Sequence, residues 1–173
     1  MTFSFNAFEM LSLVLLAERR NCVKMPHKVP NRKYDKNRTD FTIDLNGAMG
    51  EFAVAKLLNI NIDDSVSLSG DDKISDLVKN NTTIQVKTNL SRSNNPHLYF
   101  NHQSLFKADI AVLATIKSAN EVIIEGWITK EKFLNRAKIT NFGYGERIGL
   151  TANMLDIPEK LLEYIETKEE EFI

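Results

Sequence analysis

The sequence predicts an α/β domain of the α+β kind, with a central mixed β-sheet flanked by helices. Three observations predict it. Thr82 to Val86 is β-branched and apolar at alternating positions, a strand signal. Asp109 to Ile116 is a nearly continuous apolar run, the mark of a central strand covered on both faces, and Glu121 to Ile128 pairs with it through Lys117-Ser118-Ala119-Asn120. Helical patterns bracket these runs at Phe5–Arg20, up to about Asn59, at Lys130–Ala137 and from Pro158 to about Lys168. With 173 residues, 43% hydrophobic and 26% charged, the chain is long enough for one core and too apolar for a disordered segment.

Taken in order, Phe5 to Arg20 is a helix apolar over much of its surface, which calls for two partners, its own sheet and a second subunit. Its run Met10–Ala17 is shorter than the roughly 20 apolar residues that span a bilayer. Glu9 precedes that run, no basic segment opens it, and Arg19-Arg20 is a poor cleavage site, so no membrane association is expected. The single cysteine, Cys22, forms no internal disulfide and reads as a small buried apolar residue. A reducing cytoplasm agrees with it. No Cys/His cluster points to zinc. Residues 21–39 form a polar, basic connector with Pro26 and Pro30, and Asp44 or Asn46 is expected to cap the next helix. Small residues (Gly47, Ala48, Gly50, Ala53, Ala55) let that helix approach the sheet closely. Val54, Ala55 and Leu58 share a face with Glu51, so Glu51 heads an apolar stripe; the alternative is that it complements the helix N-terminal dipole. Residues 63–72 are turn-rich, with a short strand at Ser65–Leu68; Asp63, Asp64, Asp71 and Asp72 are competing metal ligands whose setting is that of a solvated loop. Leu98–Phe100 reads as a short strand, His102–Lys107 as a helical turn, and Thr129 as the cap of the helix that follows. Trp127 reads as core. Residues 141–150 read as a Gly-rich loop that lacks the Gly-Lys-Ser/Thr ending of a phosphate-binding loop. No internal repeat or domain boundary is evident: 1–39 hold the first helix and connector, 40–140 the core, and 141–173 a loop and last helix.

The residues that carry chemistry lie in Ser75–Lys87. Asn80-Asn81 is a plausible two-residue turn, since Asn tolerates the left-handed conformation. It pairs Lys79 with Thr82, Val78 with Thr83, Leu77 with Ile84 and Asp76 with Gln85. Asp76, Gln85 and Lys87 then share one face, while Leu77, Ile84 and Val86 bury the other. A carboxylate, a second oxygen ligand and an ammonium gathered this way suit metal-assisted phosphodiester hydrolysis. The arrangement resembles the active-site motif of the PD-(D/E)XK nuclease superfamily, which includes restriction endonuclease-like and Holliday-junction-resolvase-like enzymes. Asp76 matches the first acid, Gln85-Val86-Lys87 the acid-x-Lys triplet, and Glu51 the glutamate that many members add from the preceding helix. The match covers about half of the chain, roughly Asn46 to Trp127, by motif order. Ser75 replaces the proline. Gln85 replaces the second acid, as in Mrr-type restriction enzymes and some homing endonucleases; it keeps an oxygen for a hard cation but no charge, so metal affinity should fall.

The resemblance implies a restriction endonuclease-like core with an extra N-terminal helix, and a metal-dependent DNA endonuclease that is phage- or restriction-related or acts on branched DNA. It implies Mg²⁺ (or Mn²⁺) held by Glu51, Asp76 and the carbonyl of Gln85, with Lys87 orienting the attacking water and offsetting transition-state charge. No organic cofactor is expected. Net charge is −1, so any nucleic-acid footprint is local. From Arg19 to Arg38 only Asp35 opposes eight basic residues, among them Arg32, Lys33, Lys36 and Arg38; the stretch reads either as a phosphate footprint or as a solvated connector. Ser91, Arg92 and Asn94, directly after the candidate strand, are further phosphate contacts or ordinary turn residues, and Tyr144 and Arg147 are candidate DNA contacts. A homodimer with one site per strand is expected by resemblance. Two other readings compete: a catalytically silent DNA-binding module of the same fold, and a protein-interaction protein using the apolar N-terminal helix.

Overall fold

Asn6 and Glu9 set the start of the first helix. The Asn6 side-chain oxygen accepts the amides of Phe8 and Glu9, each at 3.0 Å, and a Glu9 carboxylate oxygen accepts the amide of Asn6 at 2.8 Å, a capping box. The helix, α1, runs over Ala7–Lys24. In the computed structural model the described residues are 1–24, 38–62, 75–90, 95–141 and 145–170. Among them the chain is α+β, with four helices and eight strands in two sheets.

Ahead of α1 lies a strand that the sequence pattern does not announce. Thr2–Ser4, β1, pairs antiparallel with Glu121–Thr129, β6, by backbone bonds that ask little of the side chains. α1 packs chiefly on the second helix, α2 (Asp40–Leu58), rather than on the sheet directly. Leu13, Leu16 and Ala17 are buried on its inner stripe, and Arg20 continues that stripe seven residues on from Leu13. Phe8, Leu11 and Leu15 stand exposed on the opposite side. Cys22 falls on that outer side and is exposed, contrary to the buried position expected from its residue type.

The cap of α2 is Thr39, not Asp44 or Asn46. Its hydroxyl accepts the amide of Thr42 at 3.1 Å, so the helix starts one turn earlier than expected and carries Asp44 in its second turn. It ends at Asn59, whose φ of 52° is left-handed. The small residues have the expected use. A Cβ on Gly50 would collide with the Thr88 hydroxyl and lie 3.1 Å from its Cβ, so α2 crosses the sheet there at backbone distance.

The hairpin has the expected register, Lys79↔Thr82, Val78↔Thr83 and Leu77↔Ile84, in β2 (Leu77–Lys79) and β3 (Thr82–Leu90). Asn80 and Asn81 turn it at φ 48° and 58°. Lys79 donates to the carbonyl of Leu58 at 2.6 Å, tying β2 to the end of α2. The central strand β5 (Ile110–Ser118) pairs parallel with β3 and antiparallel with β6, giving the mixed order β1-β6-β5-β3-β2. One face of this sheet joins α1, α2 and the last helix, α4 (Lys160–Glu170), in a core around Ile84, Val86, Ile110, Val112, Val122 and Ile124. The other face, through Ala111, Leu113 and Ile128, meets Phe100, Phe106 and Phe133. Phe133 comes from α3 (Lys130–Arg136), capped as expected by Thr129. Trp127 is core, 3% exposed, with its indole N–H on the carbonyl of Ile157.

Residues 141–150 are not a loop. β7 (Lys138–Asn141) and β8 (Glu146–Thr151) form a hairpin, and β8 also pairs with β4 (His97–Phe100), in a second sheet of order β4-β8-β7. Ile148 opposite Phe100 and Leu150 opposite Leu98 supply the apolar contacts that outweigh the glycine content. The expected strand at 65–68 lies outside the described residues.

Asp109 staples the start of β3 to that of β5. One of its carboxylate oxygens accepts the Thr83 amide at 2.9 Å and hydroxyl at 2.6 Å. Burial alone would raise its pKa, but the Thr83 hydrogen bonds and the charges of Lys168 and Lys130 outweigh it, and the carboxyl sits below its ordinary value of 3.8. A depressed folded pKa contributes stability above the unfolded value and loses it as pH falls through the folded one. Asp109→Asn is therefore expected to cost about 1 kcal/mol at neutral pH, nothing at the acid extreme, and to flatten the acid limb of stability against pH. Urea denaturation from pH 7 down to 2.5 measures it; parallel curves for the two proteins would refute it.

Candidate functional site

β2 covers only the first three residues of β3. Past Ile84, among the described residues, no strand pairs with that edge of β3. Asp76 closes the gap with its side chain. Its amide donates to the carbonyl of Ile84 at 2.9 Å, although Ile84 is the ladder partner of Leu77, so Asp76 and Leu77 both face Ile84 as in a β-bulge. The bulge replaces the expected direct pairing of Asp76 with Gln85. It turns the carboxylate onto the strand edge, where one oxygen accepts the amide of Val86 at 2.6 Å.

Glu51 reaches this edge from α2. Both of its oxygens are taken by the Arg20 guanidinium, at 3.0 and 2.7 Å, in a two-point contact with side chains 17% (Arg20) and 13% (Glu51) exposed. Burial disfavours the Arg20 charge, but the Glu51 hydrogen bonds and the charges of Glu51, Asp76 and Asp44 prevail and raise its pKa. Three acids therefore act on one arginine. Asp44, Gly47 and Glu51 share a face of α2, and Asp44 is 7% exposed.

Gln85 and Lys87 leave β3 on the opposite face. Their register partners are Ala111 and Leu113, which belong to the phenylalanine-lined core, and the Lys87 ammonium lies 5.2 Å from the centroid of the Phe100 ring. The expected sharing of a face by Gln85 and Lys87, with Leu77, Ile84 and Val86 buried on the other, holds. The site thus straddles the strand edge: Glu51 from one face, Gln85 and Lys87 from the other, Asp76 from the edge itself. The Gln85 side-chain oxygen is buried and has no hydrogen-bond partner among the described residues. A buried carbonyl oxygen without a partner costs on the order of 1–3 kcal/mol, so its persistence marks a position shaped for a donor or a cation.

Among the described residues, no group of three or more His, Cys, Asp or Glu is placed to hold a metal ion. The donor set here has only two carboxylates, Glu51 and Asp76, and its third oxygen is an amide. All three are hard donors of the kind Mg²⁺ takes, and the orphaned Gln85 oxygen fits that use.

The candidate nucleic-acid contacts fare unevenly. Arg32, Lys33, Lys36, Ser91, Arg92, Asn94 and Tyr144 lie outside the described residues, as do Asp63, Asp64, Asp71 and Asp72. Arg38 is half-buried just before the Thr39 cap. Arg147 is not a surface contact: it is 2% exposed, its guanidinium 4.4 Å from the centre of the Tyr99 ring, because β8 turns it inward. Sequence reasoning missed Arg20 and Asp44 as site residues. The Asp44–Glu51 spacing of seven was a legible signal for a shared face. Nothing local signals that Arg20 meets Glu51, 31 positions along.

No protein-family model matches the chain, and a search of curated proteins found no match. Among the described residues no helix is long and apolar enough to cross a membrane.

Proposed function

We propose that this chain is a divalent-metal-dependent phosphodiesterase acting on DNA, of the PD-(D/E)XK kind, with Glu51, Asp76 and Gln85 as metal-holding residues and Lys87 as the catalytic lysine. The observation that carries the reading is the buried, unpartnered oxygen of Gln85 on the strand that also bears Lys87, two residues away at an edge where Asp76 and Glu51 arrive. When bound, Mg²⁺ would act as a Lewis acid on the phosphoryl group and leaving oxygen. The chain's own residues do the rest. Lys87 donates hydrogen bonds that orient the attacking water and offset the charge that develops at phosphorus. The Val86 amide fixes the Asp76 carboxylate, and Phe100 fixes the lysine. The exposed stripe of Phe8, Leu11 and Leu15 supports a homodimer, one site per strand.

A second reading, a silent DNA-binding module of the same fold, is favoured by the Arg20 guanidinium on both oxygens of Glu51. Cleavage of supercoiled plasmid and of a four-way junction, with Mg²⁺, Mn²⁺ or EDTA, separates the two. Metal-dependent cutting supports the enzyme; salt-sensitive binding without cutting supports the module. Gln85→Glu sharpens the test. A third carboxylate is expected to lower the melting temperature without metal, because a buried charge is added, and to raise Mg²⁺ affinity about tenfold or more. No change in affinity would exclude metal at this position.

A further inference from the structure

Resting on the metal reading above, we propose that Arg20 is the internal counter-cation of the acidic site, a positioning residue that competes with the divalent ion for Glu51. The guanidinium holds both oxygens of Glu51, at 3.0 and 2.7 Å. A carboxylate engaged at both oxygens by a planar fork has to release at least one of them to coordinate a hard cation. The pair is largely shielded from water, at 17% and 13% exposure, so the competition is not screened as a surface ion pair would be. Asp76 and Asp44 also act on Arg20, which makes the guanidinium the focus of the same acids that a metal would draw on.

The position is built by the helix. Arg20 continues the inner stripe of α1 after Leu13, Leu16 and Ala17, so the packing of α1 on α2 delivers the charge to Glu51. Without metal, Arg20 keeps Glu51 neutralised and oriented. Metal loading and the seating of Arg20 are then linked, each weakening the other by the same factor. A lysine would serve poorly, since its point charge cannot match both oxygens.

The test is Mn²⁺ binding, read as free Mn²⁺ by electron paramagnetic resonance, for wild type, Arg20→Met, Arg20→Lys and Glu51→Gln. Arg20→Met is expected to bind about tenfold more tightly, about 1.4 kcal/mol, and to melt lower without metal but recover with it. Arg20→Lys, which keeps the charge and most of the stem, is expected between the two. Glu51→Gln is expected to bind more weakly than wild type. Affinities in Arg20→Met and Arg20→Lys no higher than wild type would overturn the proposal. If Arg20→Met does not fold, Arg20→Lys alone decides. A protein whose Mn²⁺ affinity rises in these variants but which cuts no DNA keeps this inference and loses the nuclease reading. One that cuts, with metal affinity indifferent to Arg20, does the reverse.

Discussion

Lys87→Ala is expected to reduce metal-dependent DNA cleavage at least about 100-fold, the scale of losing one preorganised donor at a charged transition state. Binding and fold should survive. The side chain leaves β3 on the face away from Ile84 and Val86, so its loss does not disturb the core those residues form with α2. What disappears is the ammonium over the Phe100 ring, a contact worth about 0.5–1 kcal/mol where water reaches it. Lys87→Arg should not restore the rate. It keeps the charge, but a planar fork cannot reproduce the three rotatable donors of an ammonium. The comparison is made on plasmid and junction substrates with equal DNA affinity confirmed first. A rate unchanged in Lys87→Ala would remove this residue from the chemistry, and the hairpin motif with it.

Phe133→Ala is expected to cost about 3–5 kcal/mol of folding stability, the largest single effect predicted for this chain. Phe133 is fully buried in α3 and meets two rings edge-on, Phe100 at 5.3 Å and Phe106 at 5.3 Å between centroids. Phe100 and Phe106 are stacked at 4.9 Å, so the three rings form one unit that joins α3, β4 and the central sheet. The void left by a phenyl group has no side chain free to fill it, since Leu98, Leu113 and Ile128 are themselves fully buried. Because Phe100 is the ring beneath Lys87, the same substitution is expected to lower cleavage under conditions where the protein is still folded. Urea denaturation gives the stability term. A loss under about 1 kcal/mol would mean that the rings collapse into the space and that the cluster is less rigid than its packing implies.

The sheet was the most legible part of the fold. The central strand, its hairpin partner and the tight turn at Asn80-Asn81 follow from residue type over short stretches, where pleat alternation and left-handed asparagine leave few options. The second sheet was not legible. Residues 146–151 look like loop because Gly149 and Arg147 interrupt the apolar pattern, and only β4, reached across about 50 residues, gives Ile148 and Leu150 their strand contacts. The first strand was hidden for the same reason: three residues that pair with β6 carry no pattern of their own. The start of α2 was misplaced because Thr39 and Asp44 are both good caps, and the choice went to Thr39 when the neighbouring charge of Arg20 gave Asp44 a role inside the helix.

At the candidate site the sequence alone determined which side chains share a face. Gln85 and Lys87 lie together, opposite Leu77, Ile84 and Val86, because strand alternation has a period of two, and Glu51 heads the stripe of Val54, Ala55 and Leu58 because helical periodicity has 3.6. Only the tertiary structure decided how those faces meet. The bulge at Asp76 put a carboxylate on the open edge of β3, and the packing of α1 on α2 put Arg20 on Glu51. Both depend on contacts between residues distant along the chain. Their energies arise from burial and charge neutralisation that appear only once the helices and the sheet are assembled.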